Sequence, residues 1–290
     1  GDTIAIVCTA RKFFPEDANP AIELLDSWGL KVKLGATIGL DSCQLGGTDL
    51  ERASDFQNMM DDDSVKAIWV ARGGYGTVRM VDLLDFTKFN KNPKWIMGFS
   101  DVTVLHSQAN VERVASMHCI MPFTVPKASD EVKETLRKAL FGEQIEYAIP
   151  SKPYDILGKA SGELIGGNLS ILYSLLGSKS SLDTNKKILF IEDLDEYLYH
   201  IDRMMYNLKR NGYFENLKGL IVGGMTDMHD NEIPFGQNAI QIITAIAKEY
   251  NIPVCFDFPA GHVKDNRTLQ LGKQVDFEVN EKEIKLALKD

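Results

Sequence analysis

The chain has 290 residues, 44% of them hydrophobic, enough for a full core and for either one large domain or two of ordinary size, with two the better expectation. Its net charge of -9 at pH 7 argues against a nucleic-acid partner, which would require a basic stripe to displace counterions. No N-terminal signal pattern and no apolar run of bilayer-spanning length is visible, so the chain reads as a soluble, cytosolic protein acting on a small molecule or peptide.

Apolar runs at 3–8, 31–34, 65–71 and 95–99 read as strands, and the stretches between them at 18–28, 50–60 and 78–84 carry helical periodicity. Such alternation predicts βαβ units and a parallel sheet of the flavodoxin or Rossmann kind, with its ligand crevice at the carboxyl ends of the strands. A strand at 117–121 and a helix at 130–140 close this half. Pro150, Pro153 and Gly158 then mark a linker, which gives domains at 1–150 and 151–290. The second half is mixed, with strands at 187–191, 217–222 and 254–258 and helices at 201–211 and 238–250. In the tail at 268–288, Val275, Phe277 and Val279 alternate with Asp276 and Glu278, the pattern of antiparallel strands with one wet face. Cys8, Cys43, Cys119 and Cys255 have no C-x-x-C spacing and read as free thiols of a reducing compartment.

Five motifs carry chemistry, each beside a plainer explanation. In Gly98-Phe99-Ser100-Asp101-Val102-Thr103 a serine falls where a strand gives way to a helix, a place for a nucleophile but also for a helix cap. Arg72-Gly73-Gly74-Tyr75-Gly76-Thr77 follows another strand; its glycines either make a tight turn or bare amides for an anion, with the Gly74 amide a donor to an oxyanion beside Ser100. This loop also has the look of the GGDGT loop of nucleotide kinases, although Tyr75 stands where those enzymes need an acid. Ile188 to Asp193 is an apolar strand ending in carboxylates, able to orient a histidine or to form, with Asp195 and Glu196, a solvated turn. Phe258-Pro259-Ala260-Gly261-His262 singles out His262 among five histidines, because Pro259 and Gly261 fix a loop around it at a strand end. Gly166-Gly167-Asn168 reads as a turn with Asn168 capping a helix or reaching a substrate. Thr226 to Asp230, with acids around His229, lacks a second histidine at ligand spacing, so no metal is expected.

Taken together, R-G-G-Y-G at 72–76, G-F-S-D-V-T at 98–103, G-G-N-L-S at 166–170, I-E-D at 191–193 with D-R-M at 202–204, and P-A-G-H at 259–262 resemble the LD-carboxypeptidase family, serine peptidases of bacteria, over almost the whole chain and in the family's order. The resemblance implies a β-rich, mixed and partly barrel-like C-terminal domain after the α/β domain. It also implies a triad of Ser100, Glu192 and His262, an oxyanion hole from the backbone amides of Gly74 and Asp101, and no cofactor or metal. Tyr75 and Asn168 are candidate substrate contacts. A homodimer is implied, acting on cytosolic tetrapeptides of peptidoglycan recycling, from which a terminal D-alanine is cut. The chain departs from the family's H-G-P at His118-Cys119-Ile120-Met121-Pro122, and from its P-S at Cys8-Thr9-Ala10. Relatives with the same triad cleave peptide–nucleotide antibiotics instead; a nucleotide-binding or phosphotransfer protein using the loop at 73–76, and a noncatalytic binding module, are the rivals from other classes. By charge alone, Arg11, Arg72, Lys264 and Arg267 are candidates to hold a terminal carboxylate.

Overall fold

The computed structural model describes residues 1–289. Its first half runs β1 (Thr3–Val7), α1 (Asn19–Ser27), β2 (Lys31–Leu34), α2 (Asp49–Asp61), β3 (Val65–Val70), α3 (Thr87–Lys91), β4 (Trp95–Gly98), α4 (Thr103–Val111), β5 (Ser116–His118) and α5 (Asp130–Phe141). Strands β2, β1, β3, β4 and β5 lie side by side in that order, all parallel. Alternate residues of these apolar strands feed two cores: Ile4, Ile6 and Trp69 face one layer, while Ala5, Val7, Ile68 and Val70 face the other. That is why the inner strands β1, β3 and β4 are almost continuously apolar, since both their faces are covered, whereas the edge strand β2 is largely exposed and carries Lys31 and Lys33.

The second half continues with β6 (Glu146–Pro150), β7 (Gly158–Asn168), α6 (Leu169–Ser174), β8 (Ile188–Leu194), α7 (Leu198–Arg210), β9 (Gly219–Thr226), α8 (Ala239–Ala247), β10 (Val254–Cys255), β11 (Leu269–Leu271), β12 (Gln274–Val279) and β13 (Glu283–Leu288). The order of its sheet is β10-β9-β8-β7-β12-β13-β6. Strand β7 belongs to two pairings: Gly158 to Glu163 run antiparallel to β12, and Leu164 to Asn168 run parallel to β8. The helices of this half pack a third core, with Met204 and Leu208 of α7 and Ile243 of α8 against Leu189 and Ile191.

Several expectations are corrected. Residues 78–84 form no α-helix but two single 3₁₀ turns, Thr77–Arg79 and Val81–Leu83: their amides close three-residue bonds, Met80 N to the Thr77 carbonyl and Leu83 N to the Met80 carbonyl, and the chain becomes extended at Leu84. Pro150 ends β6 and Gly158 begins β7, with an irregular connection at 151–157 between them, but β7 itself is an eleven-residue strand that its glycines disguised. Gly166 has φ +132, and a Cβ there would lie 1.9 Å from the Phe190 carbonyl oxygen, so this strand needs glycine for close approach. The strand expected at 254–258 stops at Cys255, with Asp257 at φ +53 turning the chain. The tail is antiparallel, yet its first piece, β11, leaves the second sheet and pairs with β5 at the edge of the first.

Candidate active site

Strand β4 ends at Gly98 (φ +147), Phe99 is extended, and Ser100 has φ +63 before one 3₁₀ turn, Ser100–Val102, leads into α4. A non-glycine residue in this region costs on the order of 1–3 kcal/mol and persists only where its surroundings fix it. Here the Gly98 carbonyl accepts from Cys119 N (3.1 Å) and sits 2.9 Å from Nε2 of the buried His106. The capping explanation for Ser100 does not hold, since Phe99 precedes the first turn and Val102 precedes α4, neither with a side-chain cap. The Ser100 hydroxyl is therefore displayed at the strand end without a helix-capping duty.

The glycine loop beside it is held by groups invisible to motif reading. Thr77 N donates to Asp101 Oδ2 (2.9 Å), and Thr77 Oγ1 donates to Thr9 Oγ1 (2.9 Å). Arg52 of α2, completely buried, donates to the carbonyls of Gly76 (2.9 Å) and Gly47 (3.3 Å), to the Thr9 carbonyl and to Asp49. On an amphipathic helix such an arginine resembles a solvated cation, and no sequence signal distinguishes it. Asp101 is buried, which pushes its carboxyl upward against the opposing hydrogen bonds from Thr77 and the charge of Arg52. Gly73 abuts the serine closely enough that a Cβ there would be 3.4 Å from Ser100 Oγ. The Gly74 N–H donates no backbone hydrogen bond among the described residues, and the Asp101 N–H, in a first helical turn, has no acceptor within the helix.

From the second half, β8 places Glu192 behind the cleft wall, at a register shift between Ile191 and Asp193. Glu192 is fully buried; its Oε2 accepts from His262 Nδ1 at 2.7 Å and from the His262 backbone N at 3.1 Å. The loop ahead of the histidine must be glycine at 261: φ is +101, and a Cβ would fall 2.6 Å from the glutamate oxygen. Asn266 Oδ1 fixes that glycine by accepting its N–H at 2.8 Å. Burial works against a charged His262, but the hydrogen bond and charge of Glu192, with Asp193 beyond, outweigh it and raise the imidazole above its ordinary range. With Nδ1 engaged by the carboxylate, Nε2 of the neutral ring is left as the basic atom.

Of the four predicted carboxylates, the structure separates two pairs. Glu192 and Asp193 are buried, whereas Asp195 is exposed and Glu196 partly so, pairing with His200. Burial, then repulsion from Glu192, pushes Asp193 up to about 7. Asn168 does cap α6, its Oδ1 accepting Ile171 N at 3.2 Å, while its Nδ2 donates to Asp193 (2.9 Å) and its backbone N to Thr103 Oγ1 of α4 (2.9 Å). It thus ties α4, the helix that follows Ser100, to β8, the strand that carries Glu192. His118 lies fully buried between Phe99 and Phe190, both ring nitrogens without a partner among the described residues, and burial holds its pKa well below the usual imidazole range.

A cleft of about 430 Å³ is lined by Gly74, Ser100 and Asp101 from the first half and Asn168, Asp193 and His262 from the second. Phe99, next to Ser100, packs on the His262 ring with centroids 4.9 Å apart. Tyr75 is 54% exposed and is not part of the cleft wall. Among the described residues no hydrogen bond joins Ser100 Oγ to His262, although both face the one cleft. A displayed hydroxyl, a carboxylate-oriented imidazole and two unspent amides are the parts of acyl transfer to serine.

Fold and site together define a serine-type hydrolase built on two α/β layers. Family models for the LD-carboxypeptidase N-terminal domain and C-terminal domain match residues 4–119 and 161–277. The chain is 35% identical to the probable murein peptide carboxypeptidase of Bacillus subtilis, over 97% of this chain and 90% of that protein. It is 26% identical to the microcin self-immunity protein MccF of Escherichia coli, over 99% of this chain and 93% of the other. The crystal structure of muramoyltetrapeptide carboxypeptidase from Oxalobacter formigenes superposes with a TM-score of 0.90 at 27% identity, covering 99% of both chains. The chain belongs to the LD-carboxypeptidase family and is a serine-type carboxypeptidase.

Proposed function

We propose that this protein removes the C-terminal D-alanine from L,D-linked muropeptide tetrapeptides in peptidoglycan recycling, through a Ser100–His262–Glu192 triad and an acyl-enzyme. The observation that carries the reading is the pair formed by buried Glu192 and His262, 2.7 Å between Oε2 and Nδ1, with His262 lining the cleft that Ser100 also lines. In this mechanism His262 Nε2 takes the Ser100 proton as Oγ attacks the scissile carbonyl, and the Gly74 and Asp101 amides receive the oxyanion. Collapse breaks the C–N bond; the imidazolium gives its proton to the departing D-alanine amine. Water, deprotonated by His262, then hydrolyses the ester and restores Ser100. Glu192 holds the ring and stabilises the imidazolium throughout. The nucleophile comes from a domain at 1–150 and its two partners from a domain at 151–290, so substrate binds between them. The reading includes a homodimer acting in the cytosol. No helix among the described residues is long and apolar enough to cross a membrane.

The relation to MccF supports a second reading, an amidase that cleaves peptide–nucleotide antibiotics with the same three residues. A panel of L,D-ended and D,D-ended tetrapeptides and an aminoacyl sulfamoyl nucleoside, with products identified by mass spectrometry, separates the two. Release of D-alanine from the L,D peptide alone supports the carboxypeptidase; cleavage confined to the nucleoside conjugate would replace it with the amidase.

A further inference from the structure

Among the described residues, two arginines in the cleft lack an anionic partner. Arg11 lies beyond the carboxyl end of β1 and Arg72 beyond that of β3, and both line the wall that includes Ser100 and His262. Among the described residues neither forms a salt bridge. Arg11 Nε is buried without a hydrogen-bond partner. The Arg72 guanidinium lies over the Phe123 ring, 4.1 Å from its centroid, a planar stack that presents its N–H edge. Burial, then the neighbouring Arg11 charge, lowers the Arg72 pKa, with Asp17 opposing. Two like charges held together in a partly dry cleft are costly until an anion joins them.

Their position fixes which anion. The Arg11 side chain lies across Gly74: a Cβ on that glycine would be 2.7 Å from Arg11 Cγ, Cδ and Nε. Arg11 is therefore adjacent to the amide proposed to receive the oxyanion. In a substrate whose leaving group is a single amino acid, the terminal carboxylate carbon is three bonds from the scissile carbonyl carbon, at most about 3.8 Å away. Whatever binds that carboxylate has to flank the oxyanion hole. The other two cations allowed by charge fail this condition: Arg267 is engaged by Asp265 through two contacts of 2.9 Å, and Lys264 does not line the cleft.

We propose that Arg11 and Arg72 clamp the terminal carboxylate of the leaving D-amino acid, and that this clamp restricts the enzyme to single-residue removal. The inference rests on the carboxypeptidase reading. It places the specificity for a free chain end in the two loops that follow β1 and β3, next to the nucleophile.

The test compares an L,D-ended tetrapeptide with its C-terminal carboxamide, using wild type, Arg11→Gln and Arg72→Gln. Wild type is expected to prefer the acid by about 100-fold or more in kcat/KM, the scale of a lost charge-assisted bidentate contact. Arg11→Gln lowers turnover of the acid by about that factor while leaving the carboxamide within about threefold, so the preference collapses; Arg72→Gln acts in the same direction by about tenfold or more. Carboxamide cleavage is the internal check on folding. Unchanged acid preference in both variants, or equal losses on both substrates, would overturn the clamp. Wild type that cleaves neither peptide would sink the carboxypeptidase reading and the clamp with it, whereas peptide cleavage with an unmoved preference sinks the clamp alone.

Discussion

Glu192→Gln removes one charge and almost no volume, so it isolates what the buried carboxylate does for His262. With the charge centres of carboxylate and imidazolium about 4 Å apart and an effective dielectric of about 20, their attraction is about 4 kcal/mol. At about 1.4 kcal/mol per tenfold, kcat/KM for D-alanine release should fall by about three decades, because the imidazolium forms only in the chemical step. The pH profile should move as well. His262 is raised above its ordinary value although burial acts to lower it, because Glu192 prevails. The enzyme works with neutral His262, so activity should rise with pH through that raised value. Without the charge, burial dominates and the acid limb shifts to lower pH. The assay is kcat/KM between about pH 5 and about pH 9 for both proteins. A variant within tenfold of wild type, or an acid limb that stays in place, would refute the assignment of Glu192.

Other expected outcomes follow from the same contacts. Asp101→Ala keeps the backbone amide but frees Thr77 N, and the loosened glycine loop should lower kcat by about 10- to 100-fold with a smaller change in KM, measured by steady-state kinetics. Arg52→Met removes the side-chain donor to the Gly47 and Thr9 carbonyls and one of two donors to the Gly76 carbonyl, which keeps Arg79 N, and should destabilise the fold by about 2–4 kcal/mol in urea unfolding. His118 stays neutral in the fold where an unfolded imidazole would protonate, so it costs stability as pH falls below about 6.5. His118→Leu should therefore reduce the loss of stability between about pH 7 and about pH 5 by about 1–2 kcal/mol. A pH dependence identical to wild type would contradict that account.

Sequence periodicity located the parallel sheet: 3–8, 31–34, 65–71 and 95–99 each overlap a strand, and the inner strands are almost continuously apolar because both their faces are covered, unlike the exposed edge at 31–34. It failed at β7, where Gly162, Gly166 and Gly167 look like turn residues; only the packed neighbours, Phe190 and Thr103, explain why glycine is required in a strand. The residues at strand ends were legible one by one, and the structure brings Ser100, His262 and Asn168 to one cleft with Glu192 buried behind His262, while Tyr75 stays outside its wall. What could not be read was the support. Arg52 and the side chain of Asp101 act through tertiary hydrogen bonds to a loop, and a buried cation on a helix has the same sequence signature as a solvated one. The sequence left Asp193 between a strand-end carboxylate and a solvated acidic turn, since its separation from exposed Asp195 depends on burial.

The central claim is that Ser100 is the nucleophile, and the most direct measurement is the rate of D-alanine release from an L,D-ended tetrapeptide by wild type and Ser100→Ala side by side. Ser100 makes no helix-capping bond, so the substitution should leave the thermal midpoint nearly unchanged. Turnover should drop by about 10⁴-fold or more, since removing a triad nucleophile leaves only binding and the oxyanion donors. Near-normal release of D-alanine by a folded Ser100→Ala protein would contradict the mechanism.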